Sequence, residues 1–261
     1  MHNKKRSSKP IAREEIQPSE NIVSGRNAVR ELLASGRDID KIWIAEGDRD
    51  GSIVVLIAKA RERKIPVLEV ERRRLDTICG ASTHQGIAAA CAERDYSTVE
   101  KILEYAAARG EKPLIAIADG VEDPHNLGAI IRCAECAGVH GIIIPKRRAV
   151  GLTAVVAKAS AGAIEHMRIA KVTNIASTVD ELKEAGLWIY AADMGGPAYY
   201  DTDLRGPAAI VLGSEGFGIS RLVREKCDFV ISIPMYGQVN SMNVSTAAAV
   251  LFSETARQRN G

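Results

Sequence analysis

Apolar positions in the first third of the chain recur in two rhythms. From Arg26 to Leu33 and from Ile53 to Arg63 they return every three or four residues, which predicts amphipathic helices. KIWIAE (41–46), IPVLEV (65–70) and GIAAACA (86–92) are short apolar runs and predict strands. Residues 94–112 put Val99, Ile102, Leu103 and Ala106 on one face, with Gly110 as a stop, and predict a helical connector. Beyond residue 113 the elements lengthen. Strands are expected at LIAIAD (114–119), GIIIP (141–145), EHMRIAKV (165–172), WIYAAD (188–193), AIVLG (209–213) and FVISIP (229–234). Helices are expected from about Leu127 to Ala137, within 152–161, around Ile175–Ala185, near 220–226 and from about Val244 to Arg257. Strands that alternate with helices and are apolar almost throughout predict an α/β fold with a mostly parallel sheet covered on both faces. Four segments follow: a basic tail at 1–20, a small α/β domain at 21–93, the connector at 94–112 and a second domain at 113–261.

Composition narrows the function classes. Of 261 residues, 46% are hydrophobic and 26% charged, enough to bury a core. No apolar stretch approaches the ~20 residues of a membrane-spanning helix. MHNKKRSSKP is followed by IAREEIQPSE and not by the apolar core of an export signal. Five cysteines, an odd and sparse count, suit reduced thiols and a cytoplasmic protein. Cys133 and Cys136 form C-x-x-C inside an apolar helical pattern, so core packing is expected and no metal site. The net charge of +2 is low for a nucleic-acid binder, and 4% aromatic residues argue against base stacking as the main mode of contact. The charge is uneven, however. Residues 1–112 carry 21 basic against 18 acidic side chains, and residues 113–261 carry 14 against 15. Basic clusters lie at 59–74, ending in Arg72, Arg73 and Arg74, and at Lys146, Arg147 and Arg148.

Three loops that follow strands of the second domain hold most of the candidate chemistry, and in an open α/β sheet ligands bind beyond the carboxyl ends of the strands. They are GVEDPHNLGAIIRCAECAG (120–138), GSEGFGIS (213–220) and IPMYGQVNSMNVSTAAAVLFSE (233–254). The G-x-x-G-x-G spacing of GSEGFG does not match the dinucleotide fingerprint G-x-G-x-x-G, which weighs against a nicotinamide enzyme. Each polar residue also has a plain structural reading. Asn126 would cap the following helix, Ser241, Asn243 and Ser245 would cap or turn, and Glu215 would be a solvated carboxylate. Arg132 is harder to assign that way, because it lies in an otherwise apolar helical stretch.

The three segments resemble, in order and spacing, the three signature motifs of the SpoU (TrmH) family of RNA ribose 2′-O-methyltransferases, within the SPOUT superfamily. DPHNLGAIIRCAECAG is similar to motif one, IVLGSEGFGIS to motif two and IPMYGQVNSMNVSTAAAVLFSE to motif three. NIVSGRNAVRELLASGRDIDKIWIAEG through THQGIAAAC resembles the family's small ribosomal-protein-like RNA-binding domain. The resemblance is greatest to the 23S rRNA guanosine branch. It implies a trefoil-knotted methyltransferase domain and a homodimer acting on RNA, rRNA foremost, with no DNA or membrane partner. It implies an S-adenosylmethionine pocket near Gly213, Ile233 and Met242, closed on one side by Met194, Gly195 and Gly196. Asn126, Arg132, Glu215, Ser241 and Asn243 match the family's catalytic positions, with Arg132 of one chain approaching the partner's site. Arg132 would accept the proton of the 2′-hydroxyl or, since a guanidinium is effectively never deprotonated, grip the neighbouring phosphate. Arg72, Arg73, Arg74, Lys146, Arg147 and Arg148 are the RNA-contact candidates. Two alternatives remain open at this point: a tRNA ribose methyltransferase, and a catalytically silent RNA-binding assembly factor on the same scaffold.

Overall fold

The computed structural model describes residues 21–48, 51–80 and 83–261, so the expected tail at 1–20 lies outside the described residues. The first unit runs β1 (Asn21–Ser24), α1 (Arg26–Ala34), β2 (Ile39–Ala45), α2 (Gly51–Glu62), β3 (Val67–Val70), α3 (Arg72–Cys79) and β4 (Ile87–Cys91). Its sheet has the order β1-β4-β2-β3. β4 is antiparallel to β1 and β2, and β3 is parallel to β2. β4 reads as an unbroken apolar run because both faces are covered. Ile87 and Ala89 pack with Leu32 and Ile53 of α1 and α2, whereas Ala88 and Ala90 pack with Trp43 and with Leu75 and Ile78 of α3. β1 and α3 are elements that the hydrophobic pattern did not predict.

The second unit begins with α4 (Val99–Ala108), whose first turn is capped by Thr98 Oγ1 accepting from the Lys101 amide at 3.3 Å. α4 is more than a connector. Ile102 is fully buried against Ile115, Ile117 and Ile143 of the second sheet. It lies so close to Gly141 that a Cβ there would meet it at 2.6 Å. Then follow β5 (Leu114–Asp119), α5 (Pro124–Cys136), β6 (Gly141–Pro145), α6 (Ala154–Ala159), β7 (Arg168–Val172), α7 (Ile175–Glu184), β8 (Trp188–Ala192), β9 (Ala208–Gly213), α8 (Arg221–Lys226), β10 (Phe229–Ile231) and α9 (Val244–Asn260).

These strands form one parallel sheet of order β10-β8-β9-β5-β6-β7. Helices α5, α6 and α9 bury Leu127, Ile130, Val156, Leu251 and Phe252 on one face. On the other face α4, α7 and α8 contribute Ile102, Val179, Leu182 and Val223. From β5 the chain winds outward through β6 and β7, then returns to build β8, β9 and β10 on the opposite side. The switch point therefore falls between β5 and β9, where an open α/β sheet leaves a crevice at its carboxyl edge.

The two units are joined through Glu165. Its buried carboxylate pairs with Arg37 of the first unit at 2.7 Å and with Arg94 at 3.1 Å. Beside it, His166 Nε2 lies 3.0 Å from Glu31 Oε2. Removing the Glu165 carboxylate would leave two largely buried guanidiniums without their shared counter-charge, a loss on the order of 3–5 kcal/mol for such groups. The thiols at 79, 91, 133, 136 and 227 are all free. Core packing describes Cys133 only in part, since it is half-buried at the core edge, and it does not describe the exposed Cys136. Burial pushes the Cys79 and Cys227 thiols up to about 11. Among the described residues no helix is long and apolar enough to cross a membrane, and no His, Cys, Asp and Glu group has the arrangement of a metal site.

Candidate active site

The site is built from the first turns of two helices packed side by side. α5 begins at Asp123, whose Oδ1 accepts from the His125 amide at 2.7 Å and the Asn126 amide at 3.0 Å, with Pro124 in the first turn. Asn126 is therefore not the cap that its position in DPHN suggested. Capping by Asp123 leaves the Asn126 side chain free, and it is buried toward α9. α9 begins at Asn243, which does cap its helix: Oδ1 accepts from the amides of Ser245 at 2.8 Å and Thr246 at 3.3 Å. The other end of the same amide faces the site. Asn243 Nδ2 donates to Asn126 Oδ1 at 2.9 Å and to Glu215 Oε1 at 2.6 Å. One side chain thus fixes a helix start and ties together residues from all three loops.

Glu215 stands in a tight loop at the end of β9. Reciprocal backbone bonds of 3.0 Å between Ser214 and Gly218 close it, and Gly216 and Gly218 adopt φ +88° and +68°. Gly213 must lack a side chain, because a Cβ there would lie 2.2 Å from the Gly218 carbonyl carbon. Asp119, at the end of β5, steadies the next turn by accepting from the Ser220 amide at 2.8 Å.

This loop is a wall between two clefts. The first, of about 770 Å³, opens beyond β8, β9 and β10 and is lined by Gly213, Met194, Ile233, Met242, Ser241 and Asn243. The second, of about 820 Å³, opens beyond β5, β6 and β7 and is lined by Asn126, Asn174, Arg147, Arg148 and Leu222. Ser214, Glu215, Phe217, Gly218 and Val244 line both.

Other predicted residues lie elsewhere. Gly195 and Gly196 do not line the first cleft, unlike Met194. Gly196 packs on the backbone of β10, where a Cβ would meet the Val230 carbonyl oxygen at 2.2 Å, so this glycine serves strand crossing. Arg132 is exposed on α5 and lines neither cleft. Its neighbour Cys133 is a neutral packing thiol, pushed up by burial. Lys146 is exposed and lines neither cleft. Arg72, Arg73 and Arg74 lie on α3 of the first unit. Arg72 faces a hollow that includes Arg26 and Arg30, with Asp48 3.5 Å from its guanidinium, whereas Arg73 and Arg74 face Glu69 and Glu71. Two further residues belong to the site: Asp123, which takes the cap that DPHN offers equally to Asn126, and Phe217, which the sequence marks only as an aromatic near two glycines and which is 95% exposed at the wall.

Residues 113–253 match the SpoU rRNA methylase family, and residues 22–97 match the substrate-binding domain family of RNA 2′-O ribose methyltransferases. The chain belongs to the SpoU rRNA methylase family. A protein of Staphylococcus haemolyticus assigned to the TrmH family of tRNA/rRNA methyltransferases is 47% identical over 239 residues, covering 91% of this chain and 96% of that one. A solved RNA 2′-O ribose methyltransferase superposes with a TM-score of 0.77 at 26% identity, covering 92% of this chain and 89% of its own. An rRNA methyltransferase of Sinorhizobium meliloti, solved with S-adenosylmethionine bound, has a TM-score of 0.72 at 24% identity, covering 92% and 87%. The TrmH/SpoU tRNA-modifying enzyme of A. aeolicus matches at 31% identity with a TM-score of 0.52, covering 57% of this chain and 76% of its own.

As a family member the chain is an S-adenosylmethionine-dependent RNA 2′-O-ribose methyltransferase. The first cleft fits that donor. Gly213 lets the Gly218–Ile219 backbone close against the end of β9 at its edge, and Ile233, Met242 and Met194 give apolar walls suited to an adenine and to the methylene groups beside the sulfonium.

Proposed function

We propose that the enzyme methylates the ribose 2′-hydroxyl of a guanosine in 23S rRNA, acting as a homodimer in the cytoplasm. The donor occupies the cleft beyond β8, β9 and β10, and the target nucleotide enters the cleft beyond β5 and β6. The observation that carries this reading is the bond network from Asn243 to Asn126 and Glu215, because it forms the wall where the clefts meet. S-adenosylmethionine, when bound, supplies an electrophilic methyl group on a sulfonium. The protein's own residues must hold the ribose in line with it and manage the hydroxyl proton. Asn126, Glu215 and Asn243 keep the wall rigid, and Ser241, in the donor cleft, orients the hydroxyl by hydrogen bonding. Arg132, exposed outside both clefts of its own chain, is available to a second copy. From there its guanidinium grips the phosphate beside the target ribose and stabilises the developing alkoxide, while the hydroxyl proton passes to solvent water and the donor leaves as S-adenosylhomocysteine.

Support for rRNA over tRNA comes from the extra N-terminal domain. The S. meliloti rRNA enzyme covers 92% of this chain, whereas the A. aeolicus tRNA enzyme covers 57%. A silent assembly factor would have no need of the intact wall. Transfer of labelled methyl to rRNA and tRNA, with the modified nucleotide mapped, tests the reading. A single 2′-O-methylguanosine in 23S rRNA is expected. Modified tRNA beside untouched rRNA would overturn the substrate, and donor binding without transfer would favour the silent factor.

A further inference from the structure

Phe217 is left bare where the protein has reason to cover it. Of the three phenylalanines, Phe252 is fully buried and Phe229 is 45% exposed, whereas Phe217 is 95% exposed. Its loop is not loose: the paired backbone bonds of Ser214 and Gly218 close it, and Ser214 Oγ adds a bond to the Gly218 carbonyl at 3.3 Å. The ring is therefore held out on a stiff support beside Glu215, at the junction of the two clefts. Among the described residues no other ring or cation sits on its face. The cleft on its β5–β6 side also holds Arg147 and Arg148, along with the carboxylates of Asp119, Glu122 and Asp123. A bare aromatic face with arginines in the same cleft matches what a single splayed nucleotide presents, a π-surface and a phosphate.

We propose that Phe217 stacks on the base of the nucleotide whose ribose is methylated. The inference rests on the placement of RNA in the β5–β6 cleft and adds a residue that positions the base. Stacking is tolerant of base identity, so Phe217 sets how well the nucleotide is held, and other contacts choose which one.

The test pairs Phe217→Ala, Phe217→Leu and Phe217→Tyr with the methylated RNA and with the same RNA made abasic at the target. On intact RNA, Phe217→Ala and Phe217→Leu should each lower kcat/KM about 10- to 100-fold, and Phe217→Tyr should stay near wild type. On abasic RNA all four proteins should be equal. Because Phe217 also borders the donor cleft, donor affinity by calorimetry should change, but by far less than kcat/KM, and oligomeric state by sedimentation should not change. Equal losses on intact and abasic RNA, rescue by leucine, or a matching loss of donor affinity would each overturn the proposal. Binding of a short RNA with one 2-aminopurine separates this idea from the reading beneath it. Quenching by wild type but not by Phe217→Ala supports stacking even if no methyl is transferred. Equal quenching by both contradicts stacking even if transfer is normal.

Discussion

The two clefts share a wall yet are built from different materials. The donor cleft sets backbone at Gly213 and the side chains of Met194, Ile233 and Met242 beside Asp193, Asn240 and Ser241, and among the described residues its lining has no basic side chain. The proposed RNA cleft instead holds Arg147 and Arg148 together with the carboxylates of Asp119, Glu122 and Asp123. A small sulfonium ligand can be gripped by bare main chain and apolar side chains, whereas a polyanion calls for guanidinium groups on its phosphates. Because the two pockets need different chemistry, one loop between them can present a reacting pair to each other only if it is rigid. Paired bonds, left-handed glycines and the Asn243 bridge supply that rigidity.

Five substitutions break or sharpen this contrast. The largest effect is expected from Arg132→Lys, which keeps the charge and loses the planar fork: turnover should fall about 100-fold or more, with donor affinity intact. Single-turnover kinetics beside calorimetry check this, and near-normal turnover would remove Arg132 from both of its proposed roles. Asn243→Ala strikes the wall itself. It removes a helix cap, costing about 1 kcal/mol, and also the bonds to Asn126 and Glu215. Turnover should drop roughly 10-fold or more as positioning is lost, with a lower melting temperature. Arg147→Ala and Arg148→Ala should each raise KM for RNA a few-fold, leave kcat and donor affinity alone, and reduce the salt slope of RNA binding by about 1.

The smallest effect concerns acid. Arg257 and Gln258 hydrogen-bond the Glu254 carboxylate on α9 and hold it down at about 2. A folded pKa below the unfolded value gives stability that is present above the ordinary carboxylate range and lost as pH falls toward 2. Glu254→Gln should therefore flatten the acid limb of the melting curve in that window.

The sequence announced the second domain better than the first, for physical reasons. LIAIAD and AIVLG are central strands covered on both faces, so their side chains are apolar throughout. β1 has four residues, too few to show a period. α3 opens with three arginines and buries Leu75 and Ile78, so its charge masks a weak helical stripe. In the site, DPHN holds two equally good local caps, and only packing of α5 on α9 makes Asn126 the inward residue. Gly196 is required by the close approach of Val230, a tertiary fact that spacing cannot encode. The low aromatic count argued against stacking as the dominant mode, and it also makes one exposed ring at the wall stand out.

Hydrogen–deuterium exchange with each ligand separately tests the division of labour most directly. Donor alone should protect amides at 231–235 and 241–244 and leave 146–148 at the unliganded rate. RNA alone should protect 146–148 and the 214–218 wall. Donor-induced protection at 146–148 with none at 241–244 would contradict the assignment of the two clefts.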